Sequence, residues 1–145
     1  MTETFVPTNV EWDTKIAVVL LEGLLGWQEL NITAFVTSGI AATVENVTGE
    51  EYEDASGNKY LPMFQQPVLI FSASPEKMRQ VYERAMRREV PIAIYTEDVF
   101  KTNNDKDNRA VVKAVESEKL ALVGLAMRAD AKTVDKIVKG AALHS

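Results

Sequence analysis

The chain has 145 residues, of which 46% are hydrophobic and 26% charged, with a net charge of −5, one histidine and no cysteine. That length suits one domain, and the composition is that of a folded soluble chain. It excludes disulfide scaffolds, zinc-thiolate and iron–sulfur sites, cysteine nucleophiles and multi-histidine metal sites, and the acidic balance argues against nucleic acid as a partner.

Residues 1–14 carry Glu3, Glu11 and Asp13 and no basic stretch, so they are expected to be an N-terminal extension of a cytoplasmic protein and not a secretion signal. No apolar run approaches the ~20 residues that span a bilayer, so no membrane partner is expected. A single α/β domain is expected over residues 15–145. Four nearly continuous apolar runs, 16–21, 68–73, 92–95 and 120–127, have strand length and the look of strands buried on both faces. Helical stretches alternate with them. Residues 24–44 follow the first strand and give about five turns. Ser74-Pro75-Glu76 is a helix start: Ser74 caps, Pro75 suits the first position, and Glu76 complements the positive end. The helix behind it sets Met78, Val81, Tyr82, Ala85 and Met86 on one stripe. Asn104 and Asp105 cap a third helix, and a fourth runs from Asp130 to a stop at Gly140. Residues 50–62 break the pattern. Gly57 and Asn58 tolerate positive φ, so a hairpin insertion beside the sheet is expected there. Together these elements predict a three-layer α/β/α sandwich around a mixed sheet of roughly four strands.

Candidate chemistry falls in three places. On the long helix, the stripe expected to face the sheet is Leu24, Trp27, Ala34, Phe35 and Ala42, with Asn31 and Ser38 in its middle. Asn31 either reaches a ligand at the mouth of a pocket or ties the helix to the sheet as a satisfied amide. Trp27 is either core or a stacking surface. The second place is Tyr95-Thr96-Glu97-Asp98 after the third strand, since open α/β sheets bind ligands beyond the carboxyl ends of parallel strands. Its carboxylates suit acid–base work, magnesium binding or helix capping. The third is the polar stretch 103–109. It resembles a calcium loop but lacks the glycine at position six and the glutamate at position twelve, which leaves Arg109 as a cation near the strand end. No metal site and no cofactor are expected.

With these elements in place, the chain resembles the type-two peptidyl-tRNA hydrolase fold over most of its length. The cues are Lys15-Ile16-Ala17-Val18-Val19 running into a long helix, Gln66-Pro67-Val68-Leu69-Ile70-Phe71, Ile94-Tyr95-Thr96-Glu97, and Leu122-Val123-Gly124-Leu125-Ala126 before Val134-Asp135-Lys136. More closely, it is similar to an uncharacterised bacterial domain family that shares that fold. The hydrolases carry a lysine, a glutamine and a histidine on the first helix, where this chain has Leu30, Ala34 and Thr37. Their Asp-x-Gly-x-Thr after the third strand is replaced by Thr96, Asp98 and Phe100. No catalytic residue is carried over.

The expected function is therefore a small-molecule or partner binding module that uses a hydrolase-like cleft. Its ligand-binding candidates are Trp27, Asn31, Ser38, Tyr95, Thr96, Glu97, Asp98 and Arg109. The alternative is a divergent hydrolase in which Asn31, Thr96, Glu97 and Asp98 replace the lost set. A homodimer is also expected. The resembling hydrolases commonly pair, and Leu25, Ile32, Val36 and Ile40 are left facing away from the expected buried stripe, as a surplus apolar face for a second copy.

Overall fold

The computed structural model describes residues 5–145. Its central strand is β1 (Thr14–Leu21), whose residues 16–20 are at most 2% exposed, as a Val/Ile/Leu run covered on both faces requires. It pairs in parallel with β4 (Val68–Ala73) and antiparallel with β6 (Leu122–Asp130). Strand β5 (Ile92–Thr96) joins the far side of β6 and β7 (Ala142–Leu143) the far side of β4, both antiparallel. The result is one mixed sheet of five strands in the order β5-β6-β1-β4-β7. The expected count was one short, because β7 is only two residues of alanine and leucine with no apolar run to announce it. Gly140, at φ 97°, turns the chain so that the backbone of β7 can cap the free edge of β4.

The alternation along β1 feeds two cores. Ala17 and Val19 join Met78, Val81, Tyr82 and Ala85 of α2 (Pro75–Arg87) and Val134, Ile137 and Val138 at α4 (Ala131–Ile137). Ile16, Val18 and Leu20 join Ile32, Val36 and Ile40 of α1 (Gly26–Thr43) on the opposite face. Ser74 caps α2 through Lys77 N–H, and Asn104 caps α3 (Asp105–Lys113) through Asp107 N–H. The two-residue strands β2 (Tyr52–Glu53) and β3 (Lys59–Tyr60) form a small separate ladder. Its turn is organised by Asp54, which accepts bonds from Ser56 N–H, Asn58 N–H and Tyr60 Oη.

The long helix meets the sheet on a different face from the one expected. Ile32, Val36 and Ile40 are buried, while Trp27 and Phe35 are 58% and 51% exposed. Apolar residues run almost all round α1, so periodicity could not choose a face. Close approach does. On β6, Gly124 leaves a gap into which Ile32 descends; a Cβ built on Gly124 would lie 2.4 Å from Ile32 Cγ2. Gly39 on α1 sits against Ala93 of β5 in the same way, its notional Cβ 3.3 Å from the alanine Cβ. A tryptophan has no room over such a contact. Of the residues assigned to a subunit interface, Ile32, Val36 and Ile40 are thus core and only Leu25 is exposed, so the dimer cannot be built on Ile32 or Val36.

Gly124→Ala is expected to lower stability by about 1–3 kcal/mol, the usual range for overpacking a filled core. In an Ile32→Ala background the same change should cost clearly less, because the clashing methyl is gone. Urea unfolding midpoints of the four proteins check this.

Candidate functional site

Turning Ile32 inward turns Trp27, Asn31, Phe35 and Ser38 outward, along one ridge of α1. They face Tyr95 at the end of β5, Phe100 on the 3-10 turn Glu97–Lys101, and the polar stretch from Thr102 into α3. These elements enclose an open cleft of about 560 Å³. It continues between α1 and α3 as a more apolar groove of about 540 Å³ past Ala93, Arg109 and Val112.

Aromatic rings build one wall. Trp27 meets Phe100 edge-on at 5.8 Å between centroids, Phe100 meets Tyr95 at 5.0 Å, and Tyr95 meets Phe35 edge-on at 5.9 Å. Such contacts hold rings in fixed orientation. The floor is Tyr95, 4% exposed, whose Oη accepts a bond from Asn31 Nδ2 at 3.2 Å. Burial pushes the Tyr95 phenol above its ordinary pKa, although the bond from Asn31 pulls the other way. The phenol therefore stays protonated at neutral pH. The facing wall is amide-rich: Asn103, Asn104 and Asn108 lie there, with Thr102 bonded to the Asn108 carbonyl oxygen. Asp105 is the one ionisable carboxylate lining it, and it is paired with Arg109 one turn along α3.

Of the sequence candidates, the cleft brings together Trp27, Asn31, Ser38 and Tyr95, and Arg109 lines its continuation. The remaining three sit elsewhere. Thr96 is 2% exposed with its hydroxyl unpaired, and it does not line the cleft. Glu97 borders a separate cavity of about 250 Å³ beside Leu21, Pro75 and Arg79. Asp98 is half-buried and pairs with Lys101 at 3.6 Å. Phe35 was assigned to the sheet face, Phe100 entered only as a motif replacement, and the three asparagines belong to the stretch 103–109 and the helix start, where only Arg109 was taken as a ligand-binding candidate. Their signal was present in the sequence: three asparagines within six residues, one short turn beyond the strand that carries Tyr95. No group of three or more acidic or histidine side chains is placed to hold a metal ion among the described residues.

A family model described as a protein of unknown function (DUF2000) matches residues 14–145. The chain belongs to that family. A solved structure of a protein of unknown function from Agrobacterium tumefaciens strain C58 is 42% identical to this DUF2000 chain, with a TM-score of 0.90, covering 93% of this chain and 100% of that one. Among curated proteins nothing matches. Within the DUF2000 domain, no helix is long and apolar enough to cross a membrane among the described residues.

A second polar pair lies on the other flank of α1. Glu29 Oε2 and His144 Nε2 are 2.5 Å apart, each side chain about one-third exposed or less, beside a cavity with Leu20, Leu30 and Ile70. His144 N–H also donates to Ile70 O, so the pair fastens the segment after β7 to α1 and β4. The bond to Glu29 raises the imidazole pKa above its ordinary 6.5. A raised folded-state value means that the stability from this pair is fully present below about pH 6.5 and is lost as pH rises through the raised value. In Glu29→Gln the NMR titration of this single histidine should move down toward 6.5. An unchanged midpoint would show that Glu29 does not hold it.

Proposed function

We propose that this DUF2000 domain is a binding module whose ligand sits in the cleft between α1 and the Glu97–Lys101 turn with α3. The observation that carries the reading is the open aromatic and carboxamide lining around Asn31 and Tyr95, exposed where a folded chain would ordinarily bury its rings. We further propose that the architecture is the three-layer sandwich of the type-two peptidyl-tRNA hydrolases. Helix α1 on one sheet face, with α2 and α4 on the other, supports it. The divergent-hydrolase alternative has less support, because Glu97 and Asp98 are not among the cleft residues and Asp105 is engaged with Arg109. A cytoplasmic location fits the acidic, cysteine-free composition.

The homodimer is retained as a proposal, with its interface moved to the outer ridge of α1. Leu30, Ala34 and Ala41 are exposed there, and Glu29 is the only charged residue of the helix. Small residues on such a ridge let two helices approach closely about a twofold axis. Light scattering should give about twice the chain mass of 16.1 kDa, and Leu30→Glu should return it to the single-chain value. A single-chain mass for the unaltered protein removes this proposal.

A thermal-shift screen with metabolite-sized compounds tests the binding reading. A compound at 100 times its dissociation constant adds about 2.7 kcal/mol. Asn31→Ala and Trp27→Ala should abolish the shift while leaving the unliganded melt within a few degrees. A shift that persists in both variants would place the ligand elsewhere.

A further inference from the structure

We infer that the cleft takes an uncharged ring whose edge carries both hydrogen-bond donors and acceptors, and that it rejects the phosphorylated form of the same ring. The inference rests on the binding reading above and adds the ligand's chemical class.

The first support is the state of the polar groups. Asn31 uses one N–H of its amino group on Tyr95 Oη, which leaves its carbonyl as an acceptor and its second N–H as a donor at the cleft. Tyr95 Oη accepts that bond and keeps its own proton to donate, and burial keeps the phenol in that protonated form. Asn108 lines the cleft with its amide against the Thr102 hydroxyl, whose single proton is shared between Asn108 and the Val99 carbonyl. The Asn31 carbonyl and the Tyr95 hydroxyl are therefore an acceptor and a donor held side by side by a bond within the protein, and the Asn108 amide adds polar capacity on the facing wall. A ring edge carrying a carbonyl beside an N–H, or neighbouring hydroxyls, matches that set.

The second support is the pair of exposed rings. Trp27 and Phe35 lie eight residues apart on α1, about 12 Å along the axis, with Asn31 between them. Each is braced by an edge contact, so each is oriented before anything binds. This costs a flat ligand little ordering of the protein on stacking.

The third support is charge. No lysine or arginine lines the cleft around Asn31. The N-terminal end of α3, whose backbone would otherwise attract an anion, already carries Asp105 and Asp107 in its first turn. Asp105 itself lines the cleft. A phosphate beside Asn31 meets no cation in the lining, since the nearby Arg109 is already paired with Asp105.

A nucleobase edge and a sugar ring share this chemistry, and titration separates them. In a Trp12→Phe protein, Trp27 is the sole tryptophan and reports directly on the cleft. Its fluorescence would be titrated with neutral nucleosides, with monosaccharides, and with the monophosphate of each. The expected result is saturable quenching by at least one neutral compound, with its monophosphate at least tenfold weaker. Asn108→Ala should weaken the neutral compound by about tenfold with the circular dichroism spectrum unchanged. The arm that responds identifies the source of the ring. A monophosphate that binds as tightly as its parent, or saturation only by charged compounds, overturns the inference and leaves the binding reading intact. If no neutral compound saturates, the inference is also overturned. If the thermal screen is silent as well, the binding reading falls with it.

Discussion

The contact between Ile32 and Gly124 sets the placement on which the rest of this domain depends. A glycine in the interior of a β-strand weakens it, since it brings no side chain to pack and loses more backbone freedom than alanine. Here Gly124 is the third residue of β6, flanked by buried Val123 and Leu125. The missing Cβ gives α1 its seat. Once Ile32 occupies that gap, Val36 and Ile40 follow onto the sheet one and two turns later, and Gly39 brings the helix backbone down over Ala93. The rotation of an 18-residue helix is thereby fixed by two positions that carry no side chain.

That rotation decides what the outer surface can do. An α-helix that spends Ile32, Val36 and Ile40 on its core has the opposite face free for other uses. In α1 that face holds tryptophan, phenylalanine, asparagine and serine, with almost no charge. Charged residues there would have made a plain solvated helix. Tyr95 completes the arrangement because it sits at the last turn of β5 toward α1, within reach of both Phe35 and Phe100. The bulge between Tyr95 and Thr96 ends regular pairing at that point and lets the chain leave the sheet edge as the 3-10 turn carrying Phe100.

The same helix is anchored at its other flank by Glu29 and His144, which tie the segment after β7 to its first turn. The two flanks of α1 thus differ in kind. One is an ionisable pair that fastens chain segments together, and the other is an uncharged cleft lined by amides and rings.

The amino-acid sequence by itself determined the element types and their order. Both-face-buried runs at β1, β4, β5 and β6 and the cap at Ser74 are local signals, and the structure places strands and a helix there. It also drew attention to Asn31, Trp27, Ser38 and Tyr95, because amides and a tyrosine at those positions are conspicuous on otherwise apolar elements. Only the tertiary structure decided which way α1 faces. Its apolar residues surround the axis, so hydrophobic periodicity carries no direction, and the deciding contacts join residues 92 positions apart in the chain, Ile32 and Gly124. The fifth strand was invisible for a related reason: two residues pair through backbone groups that every sequence possesses. Thr96 and Glu97 were separated from Tyr95 by the break in pairing at the end of β5 and the turn that follows it, which adjacency in sequence does not carry.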